Sequence, residues 1–139
     1  MTEMAASSIE GGVYGFGRRL NVPYDQAVER VKAALKTVGF GVLAEIDVRK
    51  TMKEKLNADF RPYVILGACN PPIAHRAFSA DLDVGLLLPC NVVVYADGED
   101  KSVVRIMDPL VLMSVAKNDE FVPMATEVRG RLEKALQAL

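Results

Sequence analysis

An excess of charge of either sign is missing from this chain. In 139 residues, 17 Lys and Arg stand against 18 Asp and Glu, giving a net charge of −1. The one small basic cluster, Arg49, Lys50, Lys53 and Lys55, reads as a solvated helix face. Phosphate-backbone binding needs a broader basic surface, so the expectation is no nucleic-acid partner. Long hydrophobic runs are missing too. Stretches such as Val84 to Leu88 are far too short to span a bilayer, so no membrane partner is expected. Met1 to Gly12 has neither a basic segment nor an apolar core and does not look like a signal peptide. Two cysteines make no disulfide framework, and together with the missing signals they give a cytoplasmic expectation. Internal repeats, linkers and low-complexity segments are absent.

What is present is an ordinary globular composition, half hydrophobic and a quarter charged. A chain of this length buries about two thirds of its unfolded surface. Residues 1–12 read as a flexible tail and 13–139 as a single α+β domain. Val13 to Leu20 reads as a glycine-rich strand at an edge or bulge. Pro23 and Asp25 start a helix in which Tyr24, Ala27, Val28, Val31, Leu35 and Val38 share a stripe, ended by Gly39. Val42 to Val48 alternates as a half-exposed strand, with Glu45 and Asp47 on its wet side. Thr51 and Glu54 suggest a capping box for a short helix.

Tyr63 to Cys69 is apolar on both faces and reads as a central strand. Asn70 and the two following prolines mark an N-cap and first turn, with Ile73, Ala74, Ala77 and Phe78 on the buried side. Leu86 to Tyr95 reads as a strand interrupted at Pro89. Asp97-Gly98 turns the chain into a strand over Ser102 to Met107. Leu110 to Val115 is apolar, a strand or a flap. A last helix, over about 121–138, carries Val122, Ala125, Val128, Leu132, Ala135, Leu136 and Leu139. One early helix followed by consecutive strands leaves too few crossovers for a parallel sheet. The fold class is therefore α+β, a largely antiparallel sheet with two long helices on one face.

Three segments carry a resemblance: Gly39 to Val48, Phe60 to Pro71, and Gly85 to Val94, with the step Pro89-Cys90-Asn91. Over roughly residues 13 to 138 the chain resembles the family catalogued as domain of unknown function 302. The resemblance implies the TATA-binding-protein-like (TBP-like) β-α-β(4)-α topology and a homodimer, and it implies no activity. Asp47, Cys69, Asn70, Pro71, His75, Pro89, Cys90 and Asn91 match the family's signature positions.

Those positions gather both cysteines and the only histidine. Strand pairing would bring Cys69 and Cys90 to one end of the sheet, with His75 in the first turn of the intervening helix. A thiol just before a helix N-terminus is one whose thiolate the dipole favours. Cys69, Asn70, His75, Cys90 and Asn91 are thus the candidate ligand-binding residues, and Cys69, His75 and Cys90 the candidate metal ligands. The spacing matches no recognised zinc pattern, and a fourth ligand is missing. The opposing view is bland: buried cysteine is a common small hydrophobe, Asn70 is explained by capping, and His75 points away from the apolar stripe. Three functional readings follow. The first is a homodimeric small-ligand or metal-binding module. The second is a thiol-dependent redox or nucleophilic enzyme using Cys69 or Cys90 with His75. The third is a structural or interaction module without chemistry. No cofactor is indicated.

Overall fold

The structure, a computed structural model, describes residues 8–116 and 118–139. In chain order the elements are β1 (Glu10–Gly11), β2 (Gly15–Leu20), α1 (Tyr24–Thr37), β3 (Gly41–Asp47), α2 (Val48–Leu56) and β4 (Tyr63–Cys69). There follow α3 (Pro71–Ala80), a 3-10 segment (Leu82–Leu87), β5 (Cys90–Ala96), β6 (Ser102–Met107), α4 (Pro109–Ala116) and α5 (Phe121–Gln137). The strands form one six-stranded sheet in the order β1-β2-β6-β5-β4-β3, antiparallel at every pairing. Without β1 and the short helices, the order is strand, helix, four strands, helix. The α+β class read from the sequence is the fold observed.

Strand alternation divides the sheet into two faces. Phe16, Leu20, Val64, Leu66, Val92, Val94, Val104 and Ile106 point to one side, where they are buried against α1 and α5. Ala27, Val31 and Leu35 of α1 and Val128, Leu132 and Leu136 of α5 complete that core. Fully burying one such leucine stabilises the fold by roughly 1.5–3 kcal/mol, so this layer dominates stability. On the other face, Tyr63 stacks on Tyr95 at 5.3 Å between centroids, and Ile65 sits between Ile46 and Val93. On that face Ile46 is exposed, and Tyr63, Ile65, Val93 and Tyr95 are half-buried.

Several local expectations change. Of the tail expected over 1–12, residues 1–7 lie outside the described residues, and Glu10–Gly11 pair with β2 as an edge strand. The Thr51/Glu54 capping box does not form. Helix α2 begins at Val48, because Asp47 Oδ1 accepts from Lys50 N at 2.9 Å and caps it earlier; Thr51 Oγ1 instead donates to the Asp47 carbonyl. Glu45 and Asp47 lie on the helix side of edge strand β3, where Lys32 of α1 pairs with Glu45 at 3.0 Å. The strand expected from Leu86 starts only at Cys90, since Leu82–Leu87 winds into a 3-10 segment capped by Asp81. Leu110 to Val115, expected as a strand or flap, is helix α4, started by Asp108 Oδ1 accepting from Leu110 N at 2.9 Å. Phe78 is 41% exposed instead of buried, and of the expected stripe only Ile73 and Ala77 reach the core.

Candidate ligand site at one end of the sheet

The site is built by the crossover between β4 and β5. Ala68 pairs with Cys90 and Gly67 with Asn91, so the last residue of β4 and the first of β5 meet at one sheet end. Cys90 follows the alternation of Val92 and Val94 into the core and is buried; Cys69 takes the side of Gly67 and is half-buried. Both are free thiols. Side chains leaving opposite faces of a sheet lack disulfide geometry.

Asn70 fixes the corner. It is 6% exposed, its Oδ1 accepts from Ile73 N at 3.1 Å to cap α3, and its Nδ2 donates to the Gly39 carbonyl at 3.0 Å. One side chain thereby starts α3 and ties it to the loop after α1. Pro71 and Pro72 fill the first turn, where a missing N–H costs no helical bond. At the returning end, Pro89 covers Gly67: a β-carbon at Gly67 would lie 2.9 Å from Pro89 Cγ. A bulge at Val42/Ala44 pushes Leu43 outward beside it.

These parts line a half-open cavity of about 330 Å³. Phe40, Leu43 and Ala44 come from β3 and the loop before it, and Ala68 and Cys69 from β4. Ile73, Ala74, Ala77 and Phe78 come from α3, Leu88, Pro89 and Cys90 from the return, and Val128 from α5. Apart from the two thiols, Asn70 is the single polar residue in the lining among the described residues, and it is already engaged. A hollow of about 780 Å³ at the opposite sheet end is larger, but Asp25, Asp47, Arg49, Arg61, Asp97 and Glu99 all reach solvent there. The smaller cavity is the better ligand site, because an apolar lining supplies binding energy that an open charged surface does not.

The structure treats the sequence candidates unequally. Cys69, Asn70 and Cys90 line the cavity, whereas His75 and Asn91 do not. His75 lies on the exposed side of α3, its carbonyl accepting from Ser79 Oγ at 2.7 Å, and Asn91 is exposed opposite Gly67. Among the described residues, no three His, Cys, Asp or Glu side chains gather as a metal-holding group. Burial pushes the Cys69 thiol above its ordinary pKa, and burial, with the neighbouring Cys69, pushes Cys90 up to about 11. Desolvation works against the Cys69 thiolate that the helix N-terminus favoured on sequence grounds. Both thiols are therefore protonated near neutrality, which makes them apolar lining with weak donor capacity.

Sequence reasoning missed the rest of the lining. Leu43 and Ala44 look like ordinary strand residues but sit at the bulge, and Phe40 lies in the loop before β3. Val128 belongs to the α5 stripe and serves core and cavity together.

Residues 16–139 match the family model described as "Domain of unknown function DUF302". Among solved structures, the chain is similar to an uncharacterized conserved DUF302 protein from Bacillus stearothermophilus. The two share 30% identity at a TM-score of 0.82, over 91% of this chain and 98% of that one. No curated protein matches.

Proposed function

We propose that this chain, which belongs to the DUF302 family of domains of unknown function, acts as a small-molecule-binding module. Its ligand sits in the cavity beside Cys69 and Cys90. The observation that carries the reading is the 330 Å³ cavity whose described lining is apolar apart from Asn70 and the two thiols. That volume is at the small end of ligand pockets, which are mostly apolar with few polar groups. A thiol-enzyme reading lacks support from the geometry, since His75 does not line the cavity and burial keeps the thiols protonated. A metal-binding reading lacks a ligand set among the described residues.

Self-association is part of the proposal. The second sheet face, where Ile46 is exposed and Ile65, Val93 and the Tyr63–Tyr95 stack are only half-buried, supports a homodimer better than a monomer. Light scattering at tens of micromolar (roughly, since stable dimers persist there) is expected to give twice the chain mass. A monomeric mass overturns that part.

Binding is tested with phenylnaphthylamine, an uncharged probe that fluoresces in apolar surroundings. The protein is expected to enhance it saturably, and Ala74→Phe, which fills the cavity from α3, to abolish the enhancement. Native mass spectrometry of untagged protein is expected to find a retained small molecule. No enhancement together with no retained mass overturns the reading.

A further inference from the structure

A second void adjoins the first. It measures about 60 Å³ and lies under α4 and the 3-10 segment, between them and α5. Ile73, Ala77, Leu88, Cys90 and Val128 line both spaces, so the two lie on either side of one shared apolar wall. Among the described residues, no charged side chain lines either space. Met113 and Ala125 border only the far void, and Met113 is a flexible side chain that adapts its shape to an occupant.

We infer that the ligand of the proposed site is an alkyl or acyl chain, its tail threaded past Ala77 and Cys90 toward Met113. Its polar end stays at the mouth, where Leu43 and Phe78 are exposed. This rests on the binding reading above and adds the ligand class. A charged group cannot travel the path, because nothing along it replaces lost hydration. A compact ring would use the outer space alone. Only an elongated tail uses both, with each methylene moved from water into the wall.

The test is displacement of phenylnaphthylamine from the whole protein by straight-chain alcohols from hexanol to dodecanol, each below its aggregation concentration. Affinity is expected to rise roughly fourfold per added methylene until the far void is filled. Ala125→Leu, which fills the far void, is expected to stop that rise at a shorter chain while leaving hexanol unchanged. Met113→Phe is a second route to the same result should Ala125→Leu melt at a much lower temperature. A series with no length dependence, while benzene still displaces the probe, overturns the chain inference and leaves the binding reading standing. Displacement by no compound overturns both. A length dependence identical in the parent and both variants overturns the threaded path. Association with phosphatidylcholine vesicles without displacement by any monomeric alcohol also overturns the inference, because it marks a lipid surface as the ligand.

Discussion

Replacing Asn70 by alanine tests how the site is held together. Two bonds disappear: the cap from Asn70 Oδ1 to Ile73 N, and the tie from Asn70 Nδ2 to the Gly39 carbonyl. Losing a helix N-cap costs about 1 kcal/mol. Losing the tie costs about 1 kcal/mol, the low end for a buried partner, because Gly39 itself reaches solvent. The sum is about 2 kcal/mol, or roughly 6–8 °C in melting temperature for a domain of this size. Asn70→Ser separates the terms: its hydroxyl oxygen can still cap α3 while the amide donor is lost, so about half the loss is expected. Urea denaturation of the parent and both variants measures this, with an unchanged slope showing that the unfolding unit is the same. Phenylnaphthylamine affinity should fall with Asn70→Ala, since α3 forms one cavity wall. A loss under 0.5 kcal/mol for Asn70→Ala, a threshold set by the smallest usual cap effect, would refute the view that this one side chain pins the corner. So would equal losses for both variants.

Further outcomes follow from the same geometry. Burial raises the folded-state pKa of Cys90 to about 11, so its contribution is intact below the ordinary thiol value and is lost as pH rises through the interval. Unfolding free energy should therefore drop by roughly 2–3 kcal/mol between about pH 9 and pH 11 beyond what Cys90→Ala shows, and equal alkaline slopes would contradict it. Iodoacetamide at pH 7 should modify half-buried Cys69 slowly and Cys90 only on unfolding; rapid labelling of Cys90 in the native protein would contradict its burial. Gly67→Ala places a β-carbon 2.9 Å from Pro89 Cγ and should cost roughly 1–3 kcal/mol by forcing the ring off the sheet, read as a lower melting temperature. Leu132→Ala, at a fully buried core position away from the cavity lining, should cost about 2–5 kcal/mol while leaving probe affinity unchanged.

The architecture was legible where one physical signal acted alone. The stripes of α1 and α5 each face a single core, and β4 is apolar because it is central, so periodicity located all three. It failed where local hydrogen bonding competed with hydrophobic pattern. Leu86 to Leu88 is apolar enough for a strand, but Asp81 Oδ1 accepting from Asp83 N winds the segment into 3-10 turns first. Asp108 acts in the same way on α4, and Asp47 takes the capping role that Thr51 was expected to hold. In the site, sequence proximity placed both cysteines and Asn70 correctly at one corner. It misjudged His75, because one residue around a helix separates a side chain that lines a cavity, Ala74, from one that faces solvent.

The same cysteine pattern that invites a chemical reading ends up supporting a binding one. A reactive thiol needs a nearby cation or an exposed helix N-terminus to hold its charge, and the N-terminus of α3 is already engaged by the Asn70 oxygen. With the helix end capped and the imidazole outside, the thiols keep their protons. What they contribute is size: a cysteine at position 90 fills less of the wall shared by the two spaces than leucine would, which on the proposed reading leaves room for a chain to pass. This predicts that Cys90→Leu closes the passage and Cys90→Ala widens it. Long-chain alcohol affinity should fall in the first and persist in the second. A thiol acting by chemistry gives another pattern, with both substitutions abolishing function alike.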